Sequence, residues 1–175
     1  MSVLMVAPDD VNGPAVVNLL VSEGDDVGAI VPDATMGERW KAMGAYVAVG
    51  SPDDADLIER AAQHARTIVL FNPVESIVRA AIQGARLASS SPARIVLCGQ
   101  GGETSIGTLE GSGLEYVVLQ IPVKRRGLRR SPPPEPERVA EAVNAADDLA
   151  GELRLVLDLT RDEAWNALGL LGPAG

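Results

Sequence analysis

Cysteine, histidine and long apolar runs are all scarce in this sequence. One cysteine, Cys98, and one histidine, His64, occur among its 175 residues. A single cysteine excludes an intramolecular disulfide, and no group of histidine, cysteine and carboxylate residues has the spacing of a metal site. No apolar run approaches the ~20 residues of a membrane-spanning helix, and no signal-like segment opens the chain. We therefore expect a cytoplasmic protein with no metal and no membrane partner.

Positive charge is also in short supply. Lysine and arginine total 15 against 24 aspartate and glutamate residues, which gives a formal net charge of -9. Such a field repels polyanions, so we expect neither nucleic acid nor an anionic membrane as a partner. A small neutral or cationic molecule, or a protein partner, fits the charge better. A homodimer is also compatible with it.

Short apolar runs alternate along the chain with longer amphipathic stretches, which is typical of parallel strands joined by helices. This pattern predicts a single α/β domain over residues 1–175, with helices on both faces of a doubly wound parallel sheet. Right-handed crossovers give the strand order 3-2-1-4-5-6-7. The seven runs predicted as strands are residues 3–7, 27–31, 46–49, 67–71, 95–98, 116–121 and 153–159.

Several segments between the runs have boundary signals. Ser51 before Pro52 predicts a helix start, and Thr35 with Glu38 has capping-box spacing, as does Thr160 with Glu163. Residues 123–136 are basic and proline-rich, which predicts a loop, and residues 172–175 are expected to fray.

Three stretches of the sequence resemble the NmrA-like NAD(P)-binding proteins of the atypical short-chain dehydrogenase/reductase group. They are residues 44–54, 93–98 and 112–122, which are similar to that group's third strand with the following turn, its fifth strand and its sixth strand. The resemblance runs along nearly the whole chain. It implies a three-layer Rossmann-like fold. It also implies a dinucleotide pocket at the positions of Ala7, Asp9, Asp10, Gly13, Asp33, Phe71 and Asn72.

The turn after the first strand departs from that family. Its cofactor loop is a GxxGxxG segment that lets backbone amides approach a diphosphate, but the matching residues here are Ala7, Asp10 and Gly13. A carboxylate ~4 Å from a phosphate costs on the order of 4 kcal/mol at an effective dielectric of ~20, and Pro14 has no N–H to donate. We therefore expect Asp9 or Asp10 to cap the helix itself, with no or weak NAD(P) binding. In the alternative, both aspartates turn outward and a cofactor binds.

Asp33 bears on the choice of cofactor. It lies 20 residues after Gly13, and an acidic residue near that distance can accept hydrogen bonds from the ribose hydroxyls of NAD. In the other interpretation, Asp33 is an ordinary turn residue that contacts no cofactor. In relatives that prefer NADP an arginine follows the second strand, but Pro32 and Asp33 follow it here. NADP is therefore disfavoured.

Ordinary short-chain dehydrogenases use a tyrosine and a lysine four residues after it for proton transfer, and this pair is absent here. The fourth residue after Tyr46 is a glycine and the fourth after Tyr116 is a glutamine, while the chain's lysines are Lys41 and Lys124. The link from Gln100 to Ser112, which corresponds to the stretch that carries the family's tyrosine, is also short. These features predict a shortened, degenerate member that acts as a binding, regulatory or scaffold module, with catalytic residues unknown. The alternative is an NAD(P)-dependent reductase or isomerase of a small organic substrate.

Overall fold

The computed structural model describes residues 2–8, 11–88, 92–100, 102–121, 133–151 and 153–170. The predictions for Asp9 and Asp10, for most of the basic loop and for the tail at residues 172–175 lie outside these ranges. Within these ranges, seven strands and seven helices alternate from Ser2 onward. In chain order they are β1 Ser2–Val6, α1 Gly13–Ser22, β2 Asp26–Val31, α2 Ala34–Ala42, β3 Tyr46–Val49, α3 Ala55–Ala61, β4 Ala65–Phe71, α4 Glu75–Leu87, β5 Arg94–Gly99, α5 Glu103–Glu110, β6 Tyr116–Gln120, α6 Pro136–Asp148, β7 Arg154–Asp158 and α7 Asp162–Ala167.

All seven strands form one parallel sheet in the order β3-β2-β1-β4-β5-β6-β7. The predicted α/β class, the Rossmann-like fold and the strand order are confirmed. Each predicted strand overlaps an observed one, and no end differs by more than two residues. Because β1 lies between β2 and β4, the direction of winding reverses there.

Two apolar layers hold the helices on the sheet. One joins the β-strand side chains to α1, α2, α6 and α7 through residues such as Val16, Trp40, Val143 and Trp165. The other joins the opposite face of the sheet to α3, α4 and α5 through Ile58, Val78 and Leu109. Burial on both faces explains why the strands read as continuous apolar runs.

The last crossover differs from the expected hand. Helix α6 connects β6 to β7 and packs against α1. The crossover through α1 leads from β1 towards the β3 edge of the sheet, whereas the crossover through α6 leads towards the β7 edge, in the opposite direction. A crossover on the α1 face that moves in this direction has the hand opposite to the β1-α1-β2 unit, so the expectation of consecutive right-handed crossovers is wrong for α6.

Two arginines on the sheet hold the C-terminal end of α6. Arg94 Nη1 donates to the carbonyl oxygens of Ala146 and Asp147 at 2.9 and 3.0 Å, and Arg66 Nε donates to the Asp147 carboxylate at 2.7 and 2.8 Å.

Three predicted helix caps are displaced by one to three residues. Asp33 caps α2 in place of Thr35, and Asp54 caps α3 in place of Ser51. Helix α7 begins after Arg161, not after Thr160. At α2 and α3 a nearby carboxylate accepts backbone N–H groups of the first turn, and this bond to a charged acceptor is stronger than one to a hydroxyl. The predicted loop at residues 123–136 also ends early, because Pro136 is already the first residue of α6.

Candidate functional site at the carboxyl edge of the sheet

The candidate site lies where β1 and β4 end, at the point where the winding of the sheet reverses. The chain leaves β1 for α1 on one face and leaves β4 for α4 on the other. Such a reversal opens a crevice outside the carboxyl ends of the strands, which is where open α/β sheets bind ligands. Ala7 and Asn72, two of the predicted pocket residues, are the first residues beyond β1 and β4.

Ala7 and Asn72 share an unusual backbone conformation. Their φ angles are 49° and 43°, and they are the non-glycine residues with positive φ in the described part of the chain. The Ala7 N–H donates to the Ile30 carbonyl at 3.1 Å, and the Asn72 N–H donates to the Cys98 carbonyl at 2.9 Å. A left-handed non-glycine residue costs of order 1–3 kcal/mol, and such residues cluster at functional sites. The same strained turn at two adjacent strand ends marks the crevice as a shaped site.

The side chain of Asn72 joins the ends of β4 and β5. Its Oδ1 accepts a hydrogen bond from the Gln100 N–H at 3.1 Å. Gly99 has a φ of +125°, and a Cβ at this position would lie 2.1 Å from Asn72 Oδ1. The glycine is therefore required by both the backbone and the asparagine. The sequence contains Gly99 after an apolar run, but nothing in the sequence indicates that Asn72 fills the space beside it.

Gly13 has a packing role at the start of α1. Its Cβ would lie 2.7 Å from Cη2 of Trp40 and 3.2 Å from Cβ of Pro8. Only glycine therefore lets α1 begin directly against the buried indole of α2. The N-terminal cap, Asn12, makes no capping hydrogen bond through its side chain. Since Asp9 and Asp10 lie outside the described residues, the expected cap by their carboxylates stays a prediction.

Asp33 has a structural role that the sequence left open. Its Oδ1 accepts a hydrogen bond from the Met36 N–H at 2.9 Å and caps α2 from an exposed position. This is the role of a turn aspartate, and contact with a ribose stays a prediction. Phe71 is 3% exposed and lies in the apolar layer beneath α1. Its ring therefore packs in the core under the crevice instead of lining it.

The tyrosines and the histidine of this chain lie at the opposite edge of the sheet from the crevice. Tyr46 and Tyr116 open β3 and β6, and His64 directly precedes β4, so all three lie at the amino edge of the sheet. Burial raises the pKa of Tyr116 above its ordinary value, and the negative charge of Glu110 adds to this effect. Cys98 is buried within β5, as a structural thiol should be.

Two surface grooves lie away from the crevice. A groove of about 530 Å³ lies beside β7 and α7 and is lined by Gln120, Asp158, Arg161 and Glu163 among others. A second groove, of about 520 Å³, runs between α1 and α6 and has Leu19, Glu23 and Asp148 in its walls. Among the described ranges, no group of three metal-ligating side chains is close enough to hold an ion. None of the helices described is both long and apolar enough to cross a bilayer.

Comparison with known proteins identifies structures of similar fold but no family. No family model matches the sequence, and no curated protein matches it. Solved structures do match, although at low identity. ChuY, described as an anaerobilin reductase from Escherichia coli O157:H7, superposes with a TM-score of 0.67 at 15% identity, over 89% of this chain and 94% of that one.

Two further matches were solved with a nicotinamide cofactor. WbmH from Bordetella bronchiseptica, in complex with NAD+, has a TM-score of 0.65 at 16% identity, over 90% of this chain and 74% of that one. BdcA, in complex with NADPH, has a TM-score of 0.63 at 15% identity, over 89% of this chain and 92% of that one. The chain therefore has the Rossmann-like fold that these proteins share.

Proposed function

We propose that this chain belongs to the atypical short-chain dehydrogenase/reductase group, binds a nicotinamide dinucleotide, and acts as a reductase or isomerase on a small organic substrate. The observation that carries the proposal is the pair of left-handed residues, Ala7 and Asn72, at the reversal of the sheet. Strain at two adjacent strand ends is maintained where a site needs a fixed backbone shape. The dinucleotide complexes and the reductase among similar structures support the same class.

The described residues of the crevice fit such a ligand in two respects. Gly13 permits close packing of α1 against Trp40 and Pro8, as the last glycine of a dinucleotide loop permits close packing of its helix, and Gly99 leaves room for the Asn72 side chain. The left-handed backbone at Ala7 turns the chain away from β1 before α1 begins. The turn from Ala7 to Gly13 would hold the diphosphate, and the turn at Asn72 would lie beside the nicotinamide. A bound nicotinamide supplies a hydride donor or acceptor.

Asp33 favours NAD over NADP. Its carboxylate lies just beyond β2, on the edge where an adenosine ribose binds in this fold. A negative charge there repels a 2′-phosphate but accepts hydrogen bonds from a free 2′-hydroxyl. Only Oδ1 is engaged by the Met36 N–H, and a carboxylate has further acceptor sites on its second oxygen.

The second candidate function is a binding or regulatory module that transfers no hydride. The location of Tyr46, Tyr116 and His64 at the amino edge of the sheet favours it, because none of them can reach a substrate in the crevice. Asp9 and Asp10 favour it as well, since a carboxylate there opposes a phosphate. The similar structures give the enzyme more support than the degenerate module.

Calorimetric titration with NAD+, NADH, NADP+ and NADPH tests the proposal. We expect saturable binding with NADH tighter than NADPH, and a gain in unfolding free energy of ~2.7 kcal/mol at 100 times the dissociation constant. Asp33→Asn should reduce the preference for NADH. The matched control is Asp54→Asn, because Asp54 caps α3 in the same way. Failure of all four nucleotides to bind at millimolar concentration would overturn the proposal.

The variant Asp10→Gly separates the two candidate functions. If the carboxylate opposes the diphosphate, glycine should tighten NADH binding, because it removes the charge and restores the residue of the family loop. Unchanged affinity would mean that Asp10 turns away from the ligand. Reduction of a carbonyl substrate by NADH, followed at the nicotinamide absorbance band, would favour the reductase over the module.

A further inference from the structure

The groove between α1 and α6 lies at the end of the molecule opposite the crevice. Both helices lead from the carboxyl edge of the parallel sheet back to its amino edge, so they run side by side in the same direction. The groove lies towards their C-terminal ends and has a volume of about 520 Å³. Leu168 and Leu170, which follow α7, form its third wall. A volume in this range is typical of a pocket for a small molecule.

The floor of the groove is apolar. Leu19, Leu149 and Leu170 line it and pack against the core layer of α1 and α6. These three leucines are only half-buried, so part of their apolar surface stays exposed in the groove. A ligand with an apolar body would remove that surface from water, which favours binding.

The rim of the groove is acidic. Glu23, Glu141 and Asp148 line it, and the described residues of its walls include no lysine or arginine. Glu23 is the C-terminal cap of α1 and Asp148 is the last residue of α6, and neither helix has a basic residue in its last turn. The C-terminal end of a helix has a partial negative charge and attracts cations. Side chains and helix ends therefore both favour a positive ligand.

Arg66, which lies behind one side of this rim, does not neutralise it. Its Nη2 lies 3.7 Å from the Asp148 carboxylate, but Arg66 also pairs with Asp25 and with the buried Asp147. One guanidinium thus faces three carboxylates. Asp148 is the most exposed of the three, and its charge remains available to a ligand.

The other two carboxylates of the rim differ in their partners. Glu141 pairs with Arg138, whereas Glu23 accepts a hydrogen bond from a neutral amide, Asn144 Nδ2, at 2.9 Å. The second polar atom of that amide, Asn144 Oδ1, is buried and has no hydrogen-bond donor within the described ranges. Nearly all buried polar atoms of native proteins have a partner, and a bound ligand is one source of the donor that this oxygen lacks.

We propose that this groove binds a small organic cation, an ammonium group on an apolar body. An ammonium group has three N–H donors, and at the rim these meet the carboxylates of Glu23 and Asp148 and the amide of Asn144. The apolar body lies on Leu19 and Leu149. The net charge of -9 raises the local concentration of cations. A partner protein would need an interface of roughly 1,200 Å² or more, which suits this small groove less well.

Three probes of equal length test the chemistry of the groove. Isotopically labelled protein is titrated with hexylammonium, hexanol or hexanoate while the amide resonances are followed. With hexylammonium the amides of Leu19, Glu23, Asn144 and Leu149 should shift together and saturate with one dissociation constant. Hexanol has the apolar body without the charge and should bind about fivefold more weakly. Hexanoate should not saturate, because its carboxylate meets like charges at the rim.

Two variants test the roles of the rim residues. Glu23→Gln should weaken hexylammonium binding about fivefold and leave hexanol binding unchanged, because only the charged probe interacts with the lost carboxylate. Asn144→Leu removes the buried acceptor together with the amide that contacts Glu23, and should weaken hexylammonium relative to hexanol. The matched control is Glu110→Gln. Glu110 also ends a helix without a basic last turn, but on the opposite face of the sheet, so both probes should bind as before.

Three results would overturn the proposal. They are no saturable shift at these amides with millimolar hexylammonium, equal affinity for hexanol and hexylammonium, and an effect of Glu23→Gln no larger than that of Glu110→Gln. Shifts of the same amides when only the protein concentration is raised would assign the groove to a second copy and overturn it too. Because the groove lies at the amino edge, these outcomes are independent of nucleotide binding at Ala7 and Asn72.

Discussion

The Oδ1 atom of Asn72 occupies the space that a side chain at Gly99 would need. A Cβ on Gly99 would lie 2.1 Å from this oxygen, and the φ of Gly99 is +125°. The oxygen in turn accepts the Gln100 N–H at 3.1 Å. The two residues therefore lock the ends of β4 and β5 together at the candidate site.

The variant Gly99→Ala should destabilise the protein by about 2–4 kcal/mol, since it adds backbone strain and displaces a hydrogen-bonded side chain. Urea unfolding measures the change. Gly151→Ala is the matched control, because Gly151 also has a positive φ, +102°, and a Cβ there meets no atom within 4 Å. Equal stability of the two variants would show that the Asn72 side chain does not lie against Gly99.

Gly13→Ala should destabilise the protein by about 1–3 kcal/mol, the usual cost of overpacking. The added methyl group meets Cη2 of Trp40 at 2.7 Å, and Trp40 is 1% exposed and cannot move outward without loss of packing. In contrast, Gly107→Ala lies inside α5 with open space around it and should stabilise by about 0.5–1 kcal/mol. Thermal unfolding compares the pair, and a neutral Gly13→Ala would contradict the close approach of α1 to the indole.

Asp147→Ala should cost about 3 kcal/mol, because a partly buried guanidinium loses its nearest carboxylate and keeps only longer contacts with Asp25 at 3.5 Å and Asp148 at 3.7 Å. The side chain of Asp147 is 1% exposed and that of Arg66 is 22% exposed. The hydrogen bond to Asp147 raises the pKa of the Arg66 guanidinium above its ordinary value, so the arginine stays charged at any working pH.

Two further variants give reference values for the loss of stability in Asp147→Ala. Thr67→Val removes one hydroxyl that donates to Asp147 Oδ1 at 2.5 Å and should cost about 1 kcal/mol. Arg79→Ala breaks an exposed ion pair with Glu75 and should cost no more than about 1 kcal/mol. Denaturant unfolding should give the order Asp147→Ala, then Thr67→Val, then Arg79→Ala, and any other order would contradict the structural role of the buried carboxylate.

Stability should fall at alkaline pH because of Tyr116. Burial, with the charge of Glu110, raises the pKa of this phenol in the folded state, so in the unfolded chain it ionises first, near pH 10. The contribution is fully present below about pH 10 and is lost as the pH rises through the folded-state pKa. In Tyr116→Phe the decline in unfolding free energy above about pH 10 should be shallower. Tyr46→Phe, at a side chain that is 72% exposed, should keep the native slope.

The sheet could be predicted because its strands are buried on both faces. An apolar run such as Thr67–Phe71 is a local property of the sequence, and the strand order follows from general rules for short crossovers. The same rules gave the wrong hand for α6. Its position depends on contacts between residues far apart, such as Arg66 with Asp147, 81 residues away. Local patterns contain no signal for such pairs.

The candidate site was predictable in its location and not in its detail. Gly13 and Asn72 follow strand ends and could be found by position. The left-handed turn at Ala7 could not, because alanine has no preference for that conformation. Asp33 was open to two interpretations, and the bond from the Met36 N–H shows its capping role. Thr35 was a wrong choice for that cap because sequence spacing alone does not show which of two nearby acceptors faces the helix.

The most direct test of the central proposal is a titration of isotopically labelled protein with NADH, followed by the amide resonances. If a dinucleotide binds at the reversal of the sheet, the amides of Ala7, Asn72 and Gln100 should shift together and saturate with one dissociation constant, while those of the β3 and β7 edges stay fixed. Shifts that saturate only away from the carboxyl ends of β1 and β4, or no shifts at millimolar NADH, would contradict the proposal.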